Sequence, residues 1–372
     1  ILKGRVDGLE AKVGELEANQ FSTTTKLKGI ATMVLGGGSN TGFGDDVTMN
    51  YDVRLNLDTS FTGKDLLRTT LRAGNFADSA FFNGNTALEV AFQEDAGVDG
   101  GVDVVGINRL FYQFPIGENF TATFGAKVRQ DDMLAIWPSV YPSDTIIDLF
   151  TYAGARGTYS VNLGAGIGLW YEKDGFSISA NYVSNEVAAE NSQLGVGDAL
   201  TATVQVGYAA SNWGGAFAYT YSDSSASAAG INANSIGLSG YWQPSEASWM
   251  PSISTGFGYN DVDTNFNIPG TDGESWSWMI GLQWADAFMK GNALGMAIGS
   301  AGQSAIGGFG TGGIWTDAGE ETLAYELWYK FQVTDNISVT PAFFWIQNDS
   351  GAFGSSSGDD TYGGLIKTTF KF

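Results

Sequence analysis

Val47-Thr-Met-Asn-Tyr-Asp-Val-Arg-Leu-Asn-Leu-Asp-Thr-Ser-Phe61 is the stretch on which the fold turns. Its odd positions, Val47, Met49, Tyr51, Val53, Leu55, Leu57, Thr59 and Phe61, are apolar but for one threonine. Its even positions, Thr48, Asn50, Asp52, Arg54, Asn56, Asp58 and Ser60, are all polar or charged. Successive side chains of a strand point to opposite faces, so the run is a strand with one apolar and one wet face. The period of two begins near Lys26. It recurs in Tyr159, Val161, Leu163, Ala165, Ile167, Leu169, Tyr171, in Leu323, Tyr325, Leu327, Tyr329, Phe331, and in Ile337, Val339, Pro341, Phe343, Trp345.

The connections between these runs are of two kinds. Pro115-Ile-Gly-Glu-Asn119, Glu172-Lys-Asp-Gly175 and Val333-Thr-Asp-Asn336 are short turns, whereas stretches such as Gly351 to Asp360 are long, polar and rich in Gly and Ser. Short turns at one end and long loops at the other is the pattern of an outer-membrane β-barrel. Parity sets the strand number. The turns after Phe61 and Phe114 lie on the same side, so an even number of crossings separates them. Strands near Asp65 to Phe76 and Val102 to Phe114 supply two, which leaves Thr86 to Glu94 in an external loop and gives about sixteen strands. Gated receptors of about 22 strands with a plug need a longer chain.

Composition agrees. The 372 residues include 24 Phe, 15 Tyr, 11 Trp and 52 Gly, with 7 Pro and neither Cys nor His. No apolar run reaches the roughly 18 to 20 residues of a membrane-spanning helix. A net charge of −22 excludes nucleic acid as a partner, because binding to phosphates needs clustered cations. No positively charged then apolar leader follows Ile1, so a targeting peptide is expected to have been removed or to lie upstream.

The first segment differs. Leu2, Val6, Leu9, Val13, Leu16 and Gln20 recur at spacings of four and three, the seam of a short coiled coil over residues 1–20 with the barrel over 21–372. Gly4, Gly8 and Gly14 weaken an isolated helix by about 1 kcal/mol each, so the segment needs partner strands. Its alternative is a lone amphipathic helix packed on its own domain.

The chain ends with Tyr362, Ile366, Phe370 and Phe372 on one face and Lys367, Thr369 and Lys371 on the other. This resembles the last strand of bacterial outer-membrane proteins, and the resemblance implies that Phe370 and Phe372 form the signal read by the assembly machinery. Together with Leu16-Glu-Ala-Asn-Gln-Phe-Ser-Thr-Thr-Thr-Lys-Leu-Lys-Gly29, the whole chain resembles the cyanobacterial outer-membrane porins. They are related to the carbohydrate-selective porins, and some are described as iron-uptake porins. The resemblance implies an all-β, sixteen-stranded barrel in outer-membrane lipid that passes small solutes and ions passively, and a homotrimer joined through the coiled coil. Relatives usually carry an upstream domain that binds peptidoglycan; none appears before Ile1, so no tether is expected from these residues. The rivals are a channel specific for sugars or iron and a structural tether.

Chemistry-bearing patterns are few. Without His or Cys there is no Ser-His-Asp triad, no thiolate nucleophile and no histidine metal site, so neither enzyme nor cofactor is expected. Gly164-Ala-Gly-Ile-Gly168 sits in an alternating strand with no helix after it, so it is read as small residues lining a barrel wall. Asp261, Asp263, Asn265 and Asn267, and Asp95, Asp99 and Asp103, lack the glycine and closing glutamate of a calcium loop and read as solvated external loops. Arg54, Arg68 and Arg72, then Lys127 and Arg129, with Arg109 by the same alternation, fall on polar faces of early strands. From Phe176 to Met289 there is no Lys or Arg. A basic wall is expected at the constriction, with chance or structural ion pairing as the bland alternative. By analogy with general porins, the third external loop, about Gln130 to Gly157, folds inward. It sets Asp131, Asp132, Asp144 and Asp148, among Trp137, Pro138, Tyr141, Pro142 and Phe150, against that wall.

Overall fold

The computed structural model describes residues 24–39, 46–77, 79–81, 84–92, 104–142, 146–160, 162–185, 200–223, 231–264, 273–300, 323–347 and 360–372. The strands are β1 (Thr25–Ser39), β2 (Thr48–Thr59), β3 (Leu66–Gly74), β4 (Gly106–Ile116), β5 (Phe120–Arg129), β6 (Leu163–Lys173), β7 (Phe176–Asn185) and β8 (Leu200–Ala209). They continue as β9 (Trp213–Asp223), β10 (Ile231–Trp242), β11 (Ser252–Thr264), β12 (Gly273–Ala285), β13 (Ala293–Ser300), β14 (Leu323–Thr334), β15 (Ile337–Ile346) and β16 (Thr361–Lys371). Each pairs antiparallel with its neighbour in sequence, and β1 pairs with β16, Ile30 opposite Lys371 and Ser39 opposite Tyr362, so the sheet closes as a barrel without an edge. The coiled-coil seam Leu2, Val6, Leu9, Val13 and Leu16 lies outside the described residues.

Alternation sorts the side chains as lipid and water require. Leu169, Leu327 and Phe343 are exposed on the outer face, while Asp52, Thr123, Thr203, Gln205 and Thr220 are buried on the inner one. The barrel is thus inside out relative to a soluble protein, and its outer apolar band is satisfied by lipid. Short turns such as Gly117–Asn119 and Asp174–Gly175 close the end where β16 stops. At that end Phe372 exchanges two backbone hydrogen bonds with Gly29, 2.6 and 3.0 Å. A Cβ on Gly29 would lie 2.2 Å from the Phe372 ring, so glycine is required there for the terminal aromatic to lie across the seam. Phe370 shares its outward face.

Two boundaries differ from the periodicity. Tyr159 precedes β6, which starts at Leu163, and is fully buried in the connection instead, its ring 4.9 Å from Trp137; Val161 lies outside the described residues. An aromatic placed by parity alone mimics a strand when a loop packs it inside the barrel. Asp261 and Asp263 lie on β11 rather than in a loop, and Asn265, Asn267, Asp95, Asp99 and Asp103 lie outside the described residues. Thr86, by contrast, belongs to a short 3-10 turn (Gly84–Thr86) in the loop between β3 and β4, as parity requires.

Candidate functional site

The lumen is built by what enters it. The third long connection leaves β5 through a 3-10 turn (Gln130–Met133), and its described residues 130–142, 146–160 and 162 run inside the barrel. Its backbone needs partners away from bulk water, and the wall supplies them as short hydroxyls. The Ala135 amide donates to Ser179 Oγ at 2.9 Å, and the Val140 and Tyr141 amides both donate to Ser254 Oγ at 2.9 Å. On the return arm Ser239 Oγ donates to the Ala153 carbonyl (2.7 Å), Ser277 Oγ to Gly154 (2.9 Å) and Thr220 Oγ1 to Thr158 (2.7 Å). Gln130, fully buried at the root, donates through Nε2 to the Thr158 carbonyl at 2.8 Å. The stretch from Phe176 to Met289 that lacks Lys and Arg is therefore the wall under the loop. A long cation there would be buried or would push the loop away. Gly166 and Gly168 belong to the same account: a Cβ on Gly168 would lie 2.8 Å from Met133 Cβ, so these glycines make room for the loop root.

The loop reaches the opposite wall at β14. Tyr141 OH donates to Glu326 Oε1 at 2.6 Å, the Ile147 amide donates to Glu326 Oε2 at 2.8 Å, and Trp328 Nε1 donates to Tyr141 OH at 3.0 Å. Glu326 is buried, so both carboxylate oxygens are committed to holding the loop.

The described residues 75–77, 79–81 and 84–92 of the second long connection also turn inward. Leu88 bridges to Ile147, and the Asp148 amide donates to the Ala87 carbonyl at 2.9 Å. Phe76, Phe81, Leu88 and Val90 then pack with Ile146, Ile147 and Phe150 of the third loop, and with Phe344, Ile346, Leu365 and Val34 of the wall. This apolar core inside a barrel was not expected. The signal was the run Ala342-Phe-Phe-Trp-Ile346, apolar on both faces, which marks a strand buried on both sides.

The arginines meet carboxylates. Arg54 lies 3.2 Å from Glu89 of the second loop and 3.4 Å from Asp52. Arg72 Nε is 3.1 Å from Asp52, and its guanidinium stacks on Phe92 at 4.4 Å. Arg68 Nε is 2.8 Å from Asp58, which also pairs with Lys28 at 3.3 Å. Arg109 pairs with Asp132 at 2.6 Å and Arg129 with Asp131 at 2.5 Å. Register irregularities at Thr70/Leu71, Leu110/Phe111 and Gly125/Val128 fall in adjacent strands beside Arg72, Arg109, Lys127 and Arg129. Such bulges locally change which face the alternation presents. Lys127 stands opposite Leu110 at one of them.

Asp131 and Asp132 thus touch the basic wall directly instead of facing it across a gap. Burial pushes the Asp131 carboxyl up, but the Arg129 guanidinium outweighs this and holds it below the usual range. Asp148 is committed elsewhere: it accepts from Tyr152 OH at 2.6 Å and from Thr151 Oγ1 at 3.1 Å, and burial raises its carboxyl despite the Tyr152 hydrogen bond. Asp144 lies outside the described residues. Sequence reasoning missed Glu89, Glu326, Asp52 and Asp58 as partners, because only the closed barrel brings them to these cations.

A closed sixteen-strand antiparallel barrel with a third loop folded into its lumen is a porin. Residues 1–372 match the family of carbohydrate-selective porins, OprB family, and the chain belongs to it. An uncharacterized protein of Nostoc is 32% identical over all of this chain and 69% of its own length. One of Synechocystis is 26% identical over 99% of this chain and 72% of its own. Among solved structures, Pseudomonas putida OprB at high pH shares the fold with a TM-score of 0.62 and 12% identity, covering 96% of this chain and 97% of that one. An anion-selective porin from Comamonas acidovorans gives 0.61 and 12%, covering 94% and 99%. The chain is an outer-membrane porin, a channel for passive diffusion, with cyanobacterial relatives.

Proposed function

We propose that small hydrophilic solutes pass through an eyelet bounded on one side by the arginine wall of β2 to β5 and on the other by the inward second and third loops. One observation carries this: Arg54, Arg68, Arg72, Arg109 and Arg129 are matched by Asp52, Asp58, Glu89, Asp131 and Asp132. Matched charges give a strong local field and little net charge. Such a passage orients polar groups and filters by size without strongly excluding either ion. The same balance favours neutral polyhydroxylated solutes, consistent with the family's description as carbohydrate-selective. Liposome swelling with neutral sugars of rising size, together with reversal potentials in a planar bilayer, tests this. Expected are passage of small sugars and weak ion selectivity. Exclusion of neutral sugars with free passage of one ion sign would refute it. Saturable block by one sugar would assign a specific carbohydrate channel.

The trimer belongs to the same proposal. A coiled coil of residues 1–20 would join three copies on the turn side, where β1 begins, and the terminal Phe370 and Phe372 would act as the assembly signal.

A further inference from the structure

The charges are sorted along the pore axis. Of the eight loop-side connections, seven (40–47, 75–105, 186–199, 224–230, 265–272, 301–322 and 347–360) contain no Lys or Arg. The eighth, 130–162, holds Arg156. Carboxylates recur at that end, among them Asp46, Asp261, Glu274 and Asp360 at or near strand ends. At the turn end four lysines share inward-facing parity on three strands of one wall. Lys26 and Lys28 on β1 fall in step with buried Thr32 and Val34, Lys330 on β14 with buried Glu326 and Trp328, and Lys371 on β16 with buried Lys367 and Thr369. In the barrel order β1-β16-β15-β14 they form one sector. Only Lys28 of the four has an ion pair among the described residues, with Asp58. Facing them, Glu172 on β6 shares the inward parity of Gly168 and Trp170. The turns themselves carry Asp65, Glu118, Asp174, Glu246, Asp286 and Asp335 beside Lys64 and Lys290. The turn end as a whole is thus near neutral with a cationic lumenal sector, whereas the loop end is acidic.

We infer that this axial sorting makes the channel rectify, carrying more current when the loop side is positive than when the turn side is. The physics is that of two zones in series. The loop mouth is enriched in cations by its carboxylates and the lysine sector in anions. A positive loop side drives both carriers toward the junction between the zones, where they accumulate and conduct. The opposite bias draws both away and depletes it. The effect needs charge fields that reach across the passage. At about 0.01 M salt the screening length is roughly 30 Å and at 1 M roughly 3 Å, so rectification is present at low salt and lost at high salt.

The inference rests on the open-channel reading above, and the experiment separates the two. The protein, residues 1–372, is inserted from one side of a planar bilayer. Because the chain has no cysteine, an Asn336→Cys variant in the β14–β15 turn, labelled with an impermeant thiol reagent, reports orientation. Instantaneous single-channel currents are read before any closure. Expected is a ratio of about twofold between opposite voltages at about 0.01 M salt, falling to unity at 1 M. The Lys26→Gln/Lys330→Gln/Lys371→Gln variant should lower the ratio. Lys64→Gln and Lys173→Gln, at the rim and outside the lumen, should leave it unchanged. Symmetric current at low salt, rectification of opposite sign, or a ratio indifferent to the triple variant overturns the inference while leaving the channel intact. Absence of conductance overturns the channel reading itself.

Discussion

At the residue scale, the arginines separate by burial. Arg72 and Asp52 have side chains 11% and 2% exposed, whereas Arg68 is 31% exposed beside Asp58. Removing one partner of a buried pair strands a charge and costs about 3 to 5 kcal/mol. Arg72→Ala leaves Asp52 with Arg54 at 3.4 Å as its remaining partner, so it is expected to lower stability by less than that, about 1.5 to 3 kcal/mol, read as an earlier denaturant midpoint. Arg68→Ala leaves Asp58 able to reach water and should chiefly shift reversal potentials toward cations. The double variant should also raise the size limit. Equal reversal potentials in wild type and Arg68→Ala would place the constriction elsewhere. Asp65, in the turn before β3, gives a pH prediction. Burial pushes its carboxyl up, but hydrogen bonds from the Thr62 amide (2.7 Å), Tyr112 OH (2.7 Å), Thr62 Oγ1 (2.8 Å) and Ser60 Oγ (2.8 Å) outweigh this and hold it well below the usual range. A carboxyl depressed in the fold stabilises above its unfolded value of about 3.9 and loses that contribution as pH falls below it. The protection of the Phe61 and Thr62 amides, relative to their intrinsic exchange rate at each pH, should fall progressively below about pH 4 in the wild type. In Asp65→Asn that protection should be low at both neutral and acid pH.

At the element scale, strands and inward loops obey different rules. Strands were legible because lipid on one side and water on the other impose a period of two, and Val53, Leu55, Leu169, Leu327 and Phe343 all share the outward parity. Leu55→Arg should cost roughly 2 to 4 kcal/mol if position 55 lies near the bilayer midplane, measured by folding into lipid vesicles. The third loop was legible in its location; its inward path came from the analogy with general porins, and its docking had no local sign. Tyr141 and Glu326 are 185 residues apart in sequence, and nothing local to either marks the pair. Glu326→Gln would place an amide against the Ile147 N–H or the Tyr141 hydroxyl, so one hydrogen bond is lost. Expected are larger open-channel noise and a raised mean conductance, with Tyr141→Phe giving a similar effect. An unchanged current trace in both variants would show that the hydroxyl ladder of β7 to β12 holds the loop alone.

On the scale of the whole molecule, the second loop joins the third in an apolar core within the lumen, with Phe81 edge-on to Phe344 at 6.1 Å. The barrel is therefore a wall plus an internal lining, and the lining sets the passage. Assembly is tested at this scale too. Native mass spectrometry in detergent should give trimers for the full chain and monomers after deletion of residues 1–20. Monomers as the stable species of the full chain would remove the coiled-coil proposal.

The amino-acid order alone determined the barrel, its sixteen strands and the side on which loops and turns fall. These follow from periodicity and parity, which are local properties that any membrane-crossing strand must satisfy. It also showed that cations gather on the early strands and vanish between Phe176 and Met289. Only the tertiary structure decided what that distribution means. Arg54, Arg68, Arg72, Arg109 and Arg129 each have a carboxylate within about hydrogen-bond reach, and the cation-free wall is the bed of a folded-in loop. The physical reason is distance along the chain. An ion pair such as Arg54 with Glu89, or a latch such as Tyr141 with Glu326, depends on closure of the sheet and on loops choosing the lumen over solvent. Neither event leaves a periodic trace in the sequence.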